Sequence, residues 1–192
     1  MEIHLKSSNK QVLLAAQKKV VQLLAGSTSP LPPALVFDID GTLLINKKND
    51  AQQRIPAAHE IYQWAIHNNV SVFFLTARPN FLENRTQTDR DLVSAGYTFR
   101  KSLIMRPVAE YEADLGNVSH FKAHWRHYIA RFFHVLMSFG DKVTDLIEVS
   151  EPGRAPISKY QTQLLALNTN VAYLLRLPGN TAEYNVKLKD EK

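Results

Sequence analysis

The chain contains no cysteine in its 192 residues. Disulfide frameworks, thiolate zinc sites and cysteine nucleophiles are therefore excluded together, and redox chemistry does not mark a compartment. No apolar run is long enough to span a bilayer, so a membrane partner is not expected. Low-complexity tracts and internal repeats are also absent. The first residues, MEIHLKSSNKQVLLAAQKKVVQLLAG, lack the basic start, unbroken apolar centre and small-residue cleavage site of a secretory leader, because Lys18 and Lys19 interrupt them. An intracellular protein is the expectation. Neither a Ser/His/acid set nor a histidine-rich ligand set emerges, which disfavours serine hydrolases and metal-water hydrolases.

The composition, 45% hydrophobic and 21% charged with both signs interspersed, is that of a soluble globular protein. Its length suits one domain over 1–192, with an N-terminal helix at about 8–25 and a core at about 34–184. The formal charge of +5 is an ordinary solubility surplus that would also favour an anionic partner.

Ser8 or Asn9 can cap a first helix, on which Val12, Leu13, Ala16, Val20, Leu23 and Leu24 fall at helical spacing until Gly26 and the run GSTSPLPP stop it. ALVFD then reads as a buried strand, and GTLLINKKNDAQQR as a loop or short hairpin. Pro56 opens a helix, VSVFFLT is a second strand, and Pro79 opens the next helix, which Gly96 ends. SLIM, VLMSFG and VAYLLRL are further strands, with the helix VSHFKAHWRHYIARFF before VLMSFG. This alternation predicts an α/β fold: a Rossmann-like, doubly wound, mainly parallel five-stranded sheet with helices on both faces. Ligands of such sheets bind where the strands end, at a topological switch point.

Four groups of polar residues follow strands or face their ends. Asp38 and Asp40 are two apart, so in extended backbone they share a face and repel unless a cation lies between them. A hard divalent ion, most simply Mg2+, would relieve that repulsion. Gly41 lets backbone amides approach an anion, and Thr42 adds a hydroxyl. Thr76 ends FFLT and by default caps a helix. Lys122 sits early in a helix, where the dipole disfavours a cation unless an anion such as a phosphoryl group compensates. Asp141 and Asp145 follow Gly140 and face one way if a helix starts there. His120, His124 and His127 lie on neighbouring helix faces, but no carboxylate completes a zinc set and Arg126 and Arg131 are interspersed, so they read as a solvated basic face.

The ordered set DIDGT, LTAR, Lys122 and GDKVTD resembles the four signature motifs of the haloacid dehalogenase (HAD) superfamily of phosphohydrolases. More narrowly, RTQTDRDLVSAGY, LIMR, GDKVTDL and LRLPGN with Tyr184 resemble its subfamily IIIB acid phosphatases, over about Ala34 to Tyr184. The resemblance implies that Asp38 is the nucleophile of an aspartyl-phosphate mechanism and Asp40 the general acid and base. It implies that Thr76 and Lys122 bind the phosphoryl oxygens, and that Asp141 and Asp145 hold Mg2+ with Asp38 and the backbone carbonyl of Asp40. The chain departs from that group at Gly41, where glutamate is usual.

The intervals between the motifs leave room for a small cap or none, hence for an open site able to take a bulky phosphomonoester. A Mg2+-dependent phosphomonoesterase is the leading expectation. The substrate would be a phosphomonoester, a nucleotide or a nucleic-acid end among the candidates. A nucleic-acid 3′-end phosphatase is the second expectation, favoured by the basic pI and KAHWRHYIAR. Salt-sensitive binding to DNA or RNA would support it, where salt-independent turnover of free nucleotides would count against it. A non-catalytic binding protein on the same fold is the third, disfavoured because Asp38 is retained.

Overall fold

An uninterrupted apolar run makes a strand only where both of its faces are covered, and the stretch ending at Phe37 meets that condition. The computed structural model describes residues 2–3, 9–46, 52–112, 118–146, 173–174 and 186–187. In chain order its first elements are β1 (Glu2–Ile3), α1 (Asn9–Ala25), β2 (Pro33–Phe37), β3 (Leu44–Asn46), β4 (Gln52–Arg54), α2 (Pro56–His67), β5 (Ser71–Pro79) and α3 (Leu82–Ser94). There follow β6 (Ser102–Arg106), α4 (Val108–Glu112), α5 (Val118–Ala130), β7 (His134–Gly140), a 3-10 turn (Val143–Asp145), β8 (Tyr173–Leu174) and β9 (Val186–Lys187).

The central sheet has the order β6-β5-β2-β7-β8, and every pairing in it is parallel. The predicted five-stranded, doubly wound sheet is thus the observed one. Successive residues of β2 serve opposite faces. Leu35 and Phe37 enter a core with Val72, Phe74 and Met105 of the sheet, Ala16 and Val20 of α1, and Ala58, Ile61 and Tyr62 of α2. Ala34 and Val36 enter a second cluster with Phe73, Leu75 and Ile104, closed by Phe121 and Ile129 of α5. Burying each large apolar side chain contributes about 1.5–3 kcal/mol, which is why the central strand can be apolar on both sides. The chain winds from β2 outward through β5 to β6, then crosses to β7, so the winding direction reverses at β2. A crevice at the carboxyl end of β2 is the expected binding place in such a sheet.

The structure corrects one boundary. Pro79 does not open a helix; it is the last residue of β5, paired with Arg106 after an irregularity that follows Thr76. Strand β2 stops at Phe37, opposite Phe74, so among the described residues β5 beyond that point pairs with β6 alone, and a residue without an N–H is tolerated there. The N–H of Asn80 restores the ladder by donating to the carbonyl of Arg106 at 2.8 Å, and α3 starts at Leu82 after the extended Phe81.

Between Asp40 and α2 the chain forms the short antiparallel hairpin β3–β4. Helix α4 and the antiparallel pair β1–β9 were not anticipated. The stretches 147–172 and 175–180 and Tyr184 lie outside the described residues. Among those described, no helix is long and apolar enough to cross a membrane.

Candidate active site

Asp38 is held where the apolar strand ends. Its N–H donates to the carbonyl of Phe139 at 2.9 Å, extending the parallel ladder one residue past β2, and its carboxylate is buried at 6% exposure. The chain then turns tightly. The N–H groups of Thr42, Leu43 and Leu44 all donate to the carbonyl of Ile39, and that of Gly41 donates to Leu44. Gly41 adopts φ +80, and a Cβ there would lie 2.5 Å from Oδ2 of Asp141, so two independent constraints select glycine. The amides of Gly41 and Thr42 are thereby engaged within the turn, while the Thr42 hydroxyl donates to Oδ2 of Asp38 at 3.4 Å.

Lys122, the fifth residue of α5, is buried at 3% exposure and reaches inward rather than to solvent. Its Nζ donates to Oδ1 of Asp38 and to Oδ1 of Asp145, both at 2.5 Å. Burial works against the ammonium charge, but the two carboxylates outweigh it and hold the lysine above its ordinary pKa.

Asp145 closes the 3-10 turn after β7. Its Oδ2 accepts the N–H of Lys142 at 2.9 Å, and its carbonyl accepts Nη1 of Arg126. A Cβ on Gly140 would fall 2.2 Å from Cβ of Asp145, so the glycine at the end of β7 is the space in which Asp145 sits.

Asp141 completes the cluster. One carboxylate oxygen from each of Asp38, Asp141 and Asp145 lies within 4.8 Å of the other two. Oδ1 of Asp141 is buried without a hydrogen-bond donor, unusual for a group that is expensive to leave unpaired. Burial first, and the charge of Asp145 second, push Asp38 up to about 7 against the opposing pull of Lys122. The same two causes push Asp141 up to about 6. A buried orphan oxygen among three crowded carboxylates is a donor set suited to a hard divalent cation.

Asp40 stands apart from that cluster. Its half-exposed carboxylate is gripped by Arg78, whose Nε donates to Oδ2 at 2.8 Å and Nη2 to Oδ1 at 2.6 Å. Thr76 is buried, and its hydroxyl caps no helix; it accepts the N–H of Arg78 at 3.2 Å. Arg78 was not singled out from the sequence, although its place two residues after Thr76, at a strand end, was a usable signal. His120, His124 and His127 are all exposed and form no metal-ligand group among the described residues.

Three acids and a buried lysine thus meet at the reversal point of a doubly wound parallel sheet. Two solved structures of the class C acid phosphatase from Bacillus anthracis share this fold, one with tungstate bound. That one is 15% identical with a TM-score of 0.64, covering 82% of this chain and 70% of that one; the other is 14% identical with a TM-score of 0.60 over the same shares. A chain of the Pnkp1/Rnl/Hen1 complex is similar at 21% identity and a TM-score of 0.52, covering 61% of this chain and 42% of that chain. No curated protein matches significantly. The family model of the HAD superfamily, subfamily IIIB (acid phosphatase), matches residues 45–173, which include Thr76, Lys122, Asp141 and Asp145. The chain belongs to that subfamily and is a phosphatase.

Proposed function

We propose that the protein is a Mg2+-dependent phosphomonoesterase that works through an aspartyl-phosphate on Asp38. The observation that carries this reading is the convergence of Asp38, Asp141 and Asp145 on one point, with Lys122 bridging two of them. Phosphoryl transfer needs positioning and charge neutralisation above all, and this set supplies both.

In the first step an oxygen of Asp38 attacks phosphorus, the bond from phosphorus to the leaving oxygen breaks, and Asp40 gives that oxygen a proton. In the second step water attacks the aspartyl-phosphate, Asp40 takes the water's proton, and the Asp38 carboxylate is regenerated as inorganic phosphate leaves. In this reading Lys122 neutralises charge on the transferring group and the Thr76 hydroxyl donates to a phosphoryl oxygen. Asp38, Asp141, Asp145 and the carbonyl of Asp40 would hold Mg2+, which supplies Lewis-acid neutralisation of the phosphoryl charge. Asp38, Lys122 and Asp145 are buried, so their charges interact more strongly than they would in water.

An open site, as the spacing of the motifs implies, would suit a bulky phosphomonoester as well as a small one. Among the described residues the hairpin β3–β4 joins the site through the bridge between Asp40 and Leu44. That openness favours, as a second reading, a phosphate at a nucleic-acid end. Turnover of 3′-phosphorylated oligonucleotides that falls steeply with salt would support it.

The test is phosphate release from an aryl phosphate, with Mg2+ or chelator, by the wild type and by Asp38→Asn. Metal-dependent turnover abolished by the substitution is the expected result. Undiminished turnover in Asp38→Asn would remove the aspartyl-phosphate, and turnover unaffected by chelator would remove the metal.

A further inference from the structure

From the geometry around Asp40 we infer that Arg78 is a positioning residue: it aims the Asp40 carboxylate, and Thr88 and Asp91 of α3 aim Arg78. The inference rests on the reading of Asp40 as general acid and base.

The carboxylate of Asp40 is half-exposed, and an exposed aspartate without a partner samples several rotamers. Two parallel N–H···O bonds from Nε and Nη2 of Arg78 fix both its place and its plane. Arg78 is itself held rigidly. Its Nη1 donates to Oγ1 of the buried Thr88 at 3.1 Å and to Oδ2 of Asp91 at 3.3 Å, while its own N–H is tied to Thr76. Asp91 is steadied in turn by Nε2 of Gln87 at 2.8 Å.

Two features separate this fork from an ordinary surface ion pair. First, Nε, Nη1 and Nη2 each already have a protein partner, so the guanidinium is arranged for Asp40 rather than for a phosphoryl group. Second, Asp91 gives the guanidinium a permanent counter-ion. As Asp40 gains and loses its proton during turnover, Arg78 keeps a neutralising partner and stays in place. Lysine could supply the charge but not the fork.

Steady-state kinetics on phosphate esters of graded leaving-group acidity, from acidic aryl phosphates to an alkyl phosphate, test this in the wild type, Arg78→Lys, Arg78→Gln, Asp91→Asn, Asp40→Asn and the double variant Asp40→Asn/Arg78→Gln. An alkoxide must be protonated as it leaves and an acidic phenolate need not be. The expected result for Arg78→Gln is a loss in kcat/KM of about 100-fold or more on the alkyl ester, matching the usual range for a general acid, and of less than about tenfold on the most acidic aryl ester. That aryl ester should also show a burst of phenol, because hydrolysis of the aspartyl-phosphate still needs the base. Arg78→Lys should recover part of the loss, and Asp91→Asn should show a weaker loss of the same leaving-group pattern. Inhibition by inorganic phosphate should be unchanged, and Arg78→Gln should add nothing in the Asp40→Asn background. Loss of equal size on all esters, weakened phosphate inhibition, or additivity with Asp40→Asn would overturn the inference while Asp40→Asn alone kept its leaving-group dependence. If Asp40→Asn shows no such dependence, the role of Asp40 itself falls, and the inference with it.

Discussion

Glycine at two positions of the site is a statement about volume. Gly140 faces Cβ of Asp145 at a separation no real Cβ tolerates, and the neighbour is a short side chain whose Cβ is fixed by its own backbone. Gly140→Ala therefore has to displace the 3-10 turn, and with it the Asp145 oxygen shared with Lys122. The expected cost is about 1–3 kcal/mol, typical of overpacking a well-filled site, or roughly 2–10 °C in melting temperature. Binding of Mg2+, followed by titration calorimetry, should weaken in parallel. Gly26→Ala is the matched control, since the nearest atom to a Cβ there is 3.4 Å away, an ordinary contact, and its melting temperature should stay close to the wild type.

At the scale of elements, the turn after Asp40 is tied to the end of α3 by Tyr97, which follows Gly96. Its ring packs edge-on against Tyr62, Phe74 and His59, and its hydroxyl donates to the carbonyl of Leu43 in the turn after Asp40. Tyr97→Phe keeps the ring contacts, and Leu43 keeps the N–H of Ile55 at 2.8 Å, so the expected loss is about 1 kcal/mol, a fall of roughly 2–4 °C by calorimetry. The sheet was legible in the sequence because strands buried on both faces are apolar runs, and the helices because Pro56, Gly96 and the apolar spacing bound them. Pro79 was misread because a proline looks the same at the start of a helix and at a strand end whose neighbour has stopped; only the register of β2 against β5 separates the two. The pairing of β1 with β9 joins opposite ends of the chain and leaves no local signal. Asp38, Thr76, Lys122, Asp141 and Asp145 were legible as candidates because each follows a strand or faces a strand end. The fork from Arg78 to Asp40, Thr88 and Asp91 was not, because it depends on how closely α3 approaches β5.

For the whole molecule, the crowded carboxylates tie stability to pH and to metal. In the metal-free protein burial first, and the charge of Asp145 second, raise Asp38 to about 7 and Asp141 to about 6 from an ordinary 3.8, against the pull of Lys122 and, for Asp141, of Lys142 as well. Between about pH 4 and pH 7 the folded state therefore holds protons that the unfolded chain has released, and by linkage its stability falls as pH rises through that window. The contribution of these groups is complete at the acidic end and lost at the neutral end. A divalent cation acts in the opposite sense, because it binds the deprotonated carboxylates and competes with their protons. Chelated protein should accordingly lose melting temperature from about pH 5 to pH 7.5. Mg2+ at a hundredfold excess over its dissociation constant should restore about 2.7 kcal/mol, roughly 5–10 °C, at the neutral end and much less at the acidic end. Scanning calorimetry over pH, with chelator and with Mg2+, checks this without reference to turnover. If Mg2+ raised the melting temperature equally at both ends, the stabilising ion would be bound away from Asp38 and Asp141.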